Sequence, residues 1–147
     1  MIKKIWNKIF GKPKEPISFK QGFDLTDLPI ITLYQKDKKF NFILDTGAND
    51  SVIDASILKD MYYEPLELET HFFGVEGDKK GAQLCKIILS YKDVEYINDY
   101  VISDMSKPFG HIKKETGVTL HGLLGSKFFN KYKYVLDFDA LIAYSKA

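Results

Sequence analysis

The stretch of sequence that decides the fold reads Phe42-Ile43-Leu44-Asp45-Thr46-Gly47-Ala48-Asn49-Asp50-Ser51-Val52-Ile53. One apolar run ends at Asp45, and a second begins after Ser51. A carboxylate at the end of a buried strand is costly unless it is hydrogen-bonded, and Thr46 and Gly47 bring a hydroxyl and close backbone N–H groups to it. Carboxylates so placed tend to have chemical roles, so the stretch predicts a site inserted between two pieces of core.

A second motif lies downstream at residues 121–129, which read His-Gly-Leu-Leu-Gly-Ser-Lys-Phe-Phe. Two apolar residues and a glycine, Leu123, Leu124 and Gly125, lead into the pattern of a short helix. After it, residues 134–139 and 141–144 are typical of a closing pair of strands.

Together the two motifs resemble those of the retropepsin-like aspartic proteases, which are single-domain enzymes. Asp45-Thr46-Gly47-Ala48 matches the active-site loop of that family, Ser51-Val52-Ile53 its continuation, and Leu123-Leu124-Gly125 its second signature. The resemblance covers about residues 28–144. It implies an all-β, closed and mostly antiparallel acid-protease fold with one short helix near the carboxyl terminus.

The resemblance also implies roles for individual residues. Asp45, Thr46 and Gly47 would form the catalytic loop, in which Thr46 hydrogen-bonds across a two-fold axis and Gly47 lets the substrate backbone approach. Leu123, Leu124 and Gly125 would support this loop. The expected substrate-binding residues are Ala48, Asn49 and Asp50 in the loop, and Gly74, Val75, Glu76 and Gly77 in a flap that covers the cleft.

One departure from the family pattern concerns a charged pair. Viral members carry an acid at the position of Asn49 and an arginine at that of Ser126, so both charges are missing together here. A neutral hydrogen bond in their place would leave a weaker or differently built dimer.

Peptide hydrolysis by this chemistry needs two carboxylates that share one proton. The chain offers one suitable acid, because Asp137 and Asp139 lie in a strand pattern and lack a following Thr-Gly. The resemblance therefore implies a symmetric homodimer in which two copies of Asp45 meet. Like charges that close cannot both ionise, so the expected enzyme is an acid-favouring aspartic endopeptidase without a cofactor.

Two other classes of function stay open. A catalytically silent peptide-binding or dimerisation module would keep the loop for structural reasons, and a structural β-domain would carry it by chance. Activity on peptides, and its loss on changing Asp45, separates the first interpretation from both.

The composition limits which partners and which cellular compartment are expected. A chain of 147 residues favours one domain, and its net charge of +1, from 21 basic and 20 acidic residues, gives no reason to expect nucleic acid as a partner. The three histidines have no metal-ligand spacing, so no metal is expected. One cysteine, Cys85, cannot make an intrachain disulfide, which fits a cytoplasmic protein.

Residues 1–16 are predicted to form a basic amphipathic segment and linker, ahead of a protease domain at residues 17–147. In the segment, apolar residues at helical spacing alternate with lysines, and residues 1–14 hold five positive charges and no acid. Such a helix can lie on an anionic membrane surface but is too short to span a bilayer. A frayed helix, or one docked on the domain, is the plainer interpretation.

The rest of the chain reads as strands and turns. Residues 30–34 and 40–44 predict a hairpin that leads into Asp45, and Asp54 is expected to cap a short helix at residues 55–61. Residues 66–73 and 83–91 predict the strands on either side of the flap, and residues 94–103 extend the sheet. We interpret residues 104–117 as a polar connection.

Overall fold

The computed structural model describes residues 15–74 and 77–147, with the backbone alone over residues 68–74 and 77–81. Within these residues the strands are β1 (Ile17–Ser18), β2 (Ile30–Gln35), β3 (Lys38–Leu44), β4 (Ser51–Asp54), β5 (Glu64–Gly74), β6 (Gly77–Tyr91), β7 (Val94–Ser103), β8 (Gly122–Leu124), β9 (Tyr134–Asp137) and β10 (Ile142–Ser145). The α-helices are α1 (Lys20–Thr26), α2 (Ser106–Thr116) and α3 (Ser126–Lys131), and a 3-10 helix spans Ala55–Asp60.

Six of the strands close into a barrel. The larger sheet has the order β2-β3-β8-β4-β7-β6-β5, and β2 also pairs with β6 through Tyr34 and Ser90. Two of its pairings are parallel, β3 with β8 and β4 with β7, and the others are antiparallel. The expectation of a closed, mostly antiparallel β fold is therefore confirmed.

The core fills this barrel because the strands alternate in burial. In β3, for example, Phe40, Phe42 and Leu44 are buried while the residues between them are partly exposed. Each fully buried side chain of this size stabilises the fold by about 1.5–3 kcal/mol. The large side chains that are almost completely buried include Phe19, Ile31, Leu33, Phe42, Ile53, Ile87, Leu89, Tyr96, Tyr100, Leu124 and Phe128.

A second, three-stranded sheet has the order β1-β10-β9. Its β9–β10 hairpin is the closing strand pair that the sequence predicts, and the short helix α3 precedes it as expected. The first described strand, β1, lies on β10 of the same chain, with Ile17 opposite Ala143.

Besides α1, which the sequence analysis did not predict, the helices differ from the sequence-based expectation in two places. The supposed connection at residues 104–117 contains α2, so that interpretation is wrong. The Asp104 carboxylate accepts the Ser106 N–H at 2.9 Å, Phe109 is buried against Ile30 and Leu120, and Gly117 ends the helix at a φ of 78°. No helix among the described residues is long and apolar enough to cross a membrane.

The second difference concerns Asp54. The helix that follows it is a 3-10 helix, and the Asp54 side chain does not accept from its backbone amides. Instead, Asp54 Oδ1 accepts the N–H of Met105 at 3.0 Å, and Oδ2 accepts the hydroxyl of Ser56 at 2.7 Å. Because its backbone N–H also donates to His121 at 2.9 Å, Asp54 joins three distant segments.

Candidate active site

The loop from Asp45 to Asp50 joins β3 to β4, and these two strands lie on either side of β8. Leu44 pairs with Leu124, and Val52 pairs with Leu123. The loop therefore crosses the end of β8. The backbone N–H of Asp45 donates to the carbonyl of Leu124 at 2.9 Å, which fixes the start of the loop on the second motif.

The carboxylate of Asp45 is held on one side. The N–H of Gly47 donates to Asp45 Oδ1 at 3.0 Å, and the N–H of Ala48 donates to the Asp45 carbonyl at 3.3 Å. Among the described residues, none donates a hydrogen bond to Asp45 Oδ2. Asp45 is half-buried, while Thr46 and Gly47 are exposed. One oxygen orients the carboxylate, and the other is available to a reactant or to a second carboxylate.

The second motif holds the other end of the loop through backbone atoms. The Ser126 N–H donates to the carbonyl of Ala48 at 2.8 Å, and the Lys127 N–H donates to that of Asn49 at 3.1 Å. At Gly125, a Cβ atom would lie 2.6 Å from the Asp50 carbonyl oxygen and 2.8 Å from that of Ala48. Glycine is thus required here by a close approach of two backbones.

A buried side-chain pair, which the sequence analysis missed, completes this anchorage. Ser51 Oγ accepts the Gly125 N–H and the amide of Asn98, each at 3.0 Å. Ser51 and Asn98 are 2% and 8% exposed, so both polar groups need these partners. The available signal was Asn98 itself, a polar residue on the inward face of β7 between Tyr96 and Tyr100.

An ion pair also links the loop to α3. Lys127 Nζ lies 2.6 Å from Asp50 Oδ1, one residue further along each segment than the family's acid–arginine pair at Asn49 and Ser126. The Lys127 side chain is 71% exposed, so the pair stabilises the fold by less than about 1 kcal/mol. The two segments therefore keep a charged contact that the sequence analysis did not expect.

The expected substrate-binding residues fall into two groups. Ala48, Asn49 and Asp50 lie together in the loop. Gly74 and Gly77 lie opposite each other where β5 pairs with β6, and Val75 and Glu76, between them, lie outside the described residues. The assignment of residues 74–77 as a flap stays a prediction.

A cavity of about 240 Å³ lies beside the loop, on the side of Asp50 rather than Asp45. The residues that line it are Asp50, Ser51, Leu84, Asn98, Asp99, Val101, Lys127 and Lys131. Asp45 does not contribute to its wall, so this cavity does not enclose the carboxylate that the sequence singles out.

Asp137, one of the two other acids near the second motif, has structural partners. Asp137 Oδ1 accepts the N–H groups of Asp139 and Ala140, both at 2.9 Å, within the turn of the β9–β10 hairpin. Among the described residues there is no cluster of three or more His, Cys, Asp or Glu side chains that could hold a metal ion. Asp45 therefore differs from Asp137, whose carboxylate already accepts two backbone hydrogen bonds.

A six-stranded barrel with an Asp-Thr-Gly loop across one inner strand defines the class of single-domain acid proteases. The family model described as retroviral aspartyl protease matches residues 26–136, more than half of the chain. The chain belongs to the retroviral aspartyl protease family.

The fold is similar to that of the EIAV protease complexed with the inhibitor HBY-793, with a TM-score of 0.52 and 18% sequence identity. The match covers 71% of this chain and 86% of that chain. No curated protein sequence matches the chain.

Proposed function

We propose that the protein is an aspartic endopeptidase, which hydrolyses peptide bonds with a water activated by two Asp45 carboxylates, one from each chain of a homodimer. The observation that carries the proposal is the state of Asp45. Its Oδ1 is oriented by the Gly47 N–H at 3.0 Å, and its side chain is half-exposed at the end of β3.

The chemistry needs one carboxylate as a base for the water and one protonated carboxyl group that polarises the scissile carbonyl. Among the described residues, a single chain supplies one such group, because Asp137 accepts hydrogen bonds within a turn and Asp54 accepts from Ser56 and Met105. A second copy of the loop supplies the other. Two carboxylates in contact hold one shared proton, so activity is highest at acidic pH.

The neighbouring residues then have defined roles. The exposed Thr46 hydroxyl bonds to its counterpart across the two-fold axis, and Gly47 leaves room for the substrate backbone. Asn49 and Asp50 line the cleft with Ala48, and residues 74–77 close over the bound peptide. Leu123, Leu124 and Gly125 hold the loop through the backbone contacts described above.

The test is cleavage of a peptide library, rich in apolar residues, between pH 4 and pH 7.5. Asp45→Asn keeps the shape of the side chain but removes the shared proton, so cleavage should fall by about 10²–10⁴-fold. The matched control is Asp139→Asn, which changes an exposed acid in the hairpin turn and should cleave like the wild type.

Two results would count against the proposal. Cleavage by Asp45→Asn at the wild-type rate would remove Asp45 from the mechanism. A stable wild-type dimer that binds peptides but cuts none at any pH would favour the silent binding module instead.

A further inference from the structure

The edges of the two sheets differ in how well they could pair with a further strand. Within the described part of the chain, the larger sheet ends at β5, and the smaller sheet ends at β1 and at β9. β5 contains Pro65 and two register shifts against β6, and β1 has only two residues. Proline, bulges and very short strands keep an edge from pairing. β9 has neither a proline nor a register shift, so its edge is the one best suited to another strand.

The backbone of β9 has unpaired groups along this edge. The N–H of Lys146 donates to the carbonyl of Lys133 at 3.0 Å, directly before the ladder between β9 and β10 begins. Hydrogen-bonded positions alternate along an antiparallel ladder, so every second residue after Lys133 bonds to β10. Tyr134 and Leu136 lie between these positions. Their N–H and C=O groups therefore face the edge, where no described residue bonds to them.

The side chains of β9 divide between the core and the outward face. Tyr134 and Leu136 pack against the core, and Leu136 pairs with the fully buried Ala143 of β10. Val135, between them, is half-exposed on the outward face. A strand that pairs at the edge of β9 therefore meets free backbone groups and leaves the core as it is.

The helix α3 connects β9 to the loop of Asp45. The Ser126 N–H, at the start of α3, donates to a carbonyl of the loop at 2.8 Å. At the other end, the rings of Phe128 and Phe129 lie 5.3 and 6.0 Å from the ring of Tyr134. The helix has six residues and is about 9 Å long. The loop and the edge of β9 thus belong to one packed unit, and a single two-fold axis can pass beside both.

We propose that two copies of the chain pair edge to edge at β9, antiparallel, with Val135 of each copy at the two-fold axis. The inference rests on the proposed function, which requires a second copy to supply the second Asp45. In this register Tyr134 of one copy lies opposite Leu136 of the other, so the free N–H and C=O groups of both strands are paired. The two three-stranded sheets then form one continuous sheet across the dimer.

The paired strands are short, so they act together with the contact between the two loops. β9 has four residues, and a pair of strands of this length is marginally stable in water by itself. The edge pairing sets the orientation of the two copies, and the contact between the Asp45 loops adds to the stability of the dimer.

The test is a disulfide across the two-fold axis. At a position that faces itself and is not hydrogen-bonded, the two Cα atoms lie about 4.5 Å apart, within the range of about 4.4–6.8 Å that a disulfide spans. Val135→Cys should therefore form a covalent dimer on mild oxidation of the full chain. The control is Ser18→Cys, at an exposed position on β1, which should stay uncrosslinked. The native Cys85 is fully buried and does not take part.

A charge at the same position gives a second, independent measurement. Val135→Asp places two carboxylates side by side at the axis, so the dissociation constant of the dimer should rise by at least about tenfold. Ser18→Asp adds the same charge to the far edge of the small sheet, two strands away, and should sediment like the wild type.

The outcomes separate this interface from the proposed function. A dimeric sample in which Val135→Cys forms no disulfide, or in which Val135→Asp keeps the wild-type dissociation constant, would overturn the interface. Cleavage of peptides by that dimer would leave the proposed function in place. A crosslinked Val135→Cys dimer that cleaves no peptide would support the interface and contradict the proposed function. A wild type that stays monomeric at every concentration would overturn both.

Discussion

Asp45 and Asp54 end the two strands that flank β8, yet their carboxylates are used in opposite ways. Asp54 is 6% exposed, and its two oxygens accept from the Met105 N–H and the Ser56 hydroxyl. Asp45 is half-exposed, and among the described residues its carboxylate accepts from the Gly47 N–H alone. Both residues come at the end of a strand beside β8, Asp45 at its Leu124 end and Asp54 at its His121 end, and they differ in which hydrogen-bond acceptors remain free.

This difference separates an acid that ties segments together from the acid that we propose to be catalytic. A carboxylate whose oxygens are both occupied ties segments together, and removing it leaves buried donors without partners. A carboxylate that is oriented on one side and open on the other can receive water, substrate or a second carboxyl group. Position at the end of a strand is thus a weak criterion for a catalytic acid. The number of carboxylate oxygens that accept no hydrogen bond is a stronger criterion.

The contrast between Asp54 and Asp45 is tested most directly by changing each acid to its amide. Asp54→Asn sets an NH₂ group against one of the two donors and should lower the free energy of unfolding by about 1–3 kcal/mol. Asp45→Asn should leave the free energy of unfolding within about 0.5 kcal/mol of the wild-type value, because no described residue donates a hydrogen bond to the second oxygen of Asp45. Urea unfolding of both variants measures the contrast, and equal losses of stability would remove the distinction.

Gly125 tests whether the rigidity of the loop matters. Gly125→Ala puts a methyl group 2.6 Å from the Asp50 carbonyl oxygen, so the loop must move. We expect a loss of about 1–3 kcal/mol in stability and a marked loss of peptide cleavage.

The matched control for Gly125→Ala is Gly110→Ala, in the exposed face of α2. A Cβ there meets nothing within 4 Å, so alanine should raise stability by about 0.5–1 kcal/mol without affecting cleavage. If Gly125→Ala behaves like this control, the second motif does not set the position of the loop.

His121, which lies near Asp54, makes a smaller contribution to the free energy of unfolding, and this contribution depends on pH. Burial lowers the pKa of His121 from its ordinary value of 6.5; the charge of Asp54 raises it, and that of Lys113 lowers it further. The unfolded chain therefore takes up the proton first as pH falls. The contribution to stability is complete above pH 6.5 and is lost below it, by at most about 1.4 kcal/mol per pH unit.

The measurement for His121 is urea unfolding at pH 7.5 and pH 5.5. His121→Gln should lose less stability between these values than the wild type, because it has no proton to take up. His111→Gln changes an exposed histidine and should follow the wild type. Identical pH dependence in His121→Gln and the wild type would contradict the assignment.

Local patterns were enough to predict the centre of the fold. The β2–β3 hairpin, the entry of β3 into Asp45 and the glycine before α3 all follow from residues close together in sequence. The helix α2 was within reach, since Asp104 precedes it, Pro108 lies in its first turn and Gly117 ends it. The helix α2 has few apolar residues at helical spacing, so the sequence analysis did not predict it.

The side-chain contacts that anchor the loop could not be predicted in the same way. Asn98 reaches Ser51 across 47 residues of sequence, and Lys127 reaches Asp50 across 77. The first contact exists because β4 and β7 run parallel with Ser51 opposite Tyr100. No single-sequence pattern specifies that register, so these partners became visible only in three dimensions.

The central claim is that catalysis belongs to a pair of chains, and a dilution series tests it most directly. Sedimentation and peptide cleavage are measured on the same samples from micromolar to nanomolar protein. We predict that cleavage per chain falls in proportion to the fraction of dimer, because each chain supplies one Asp45. A strictly monomeric sample that retains full cleavage per chain would contradict the account.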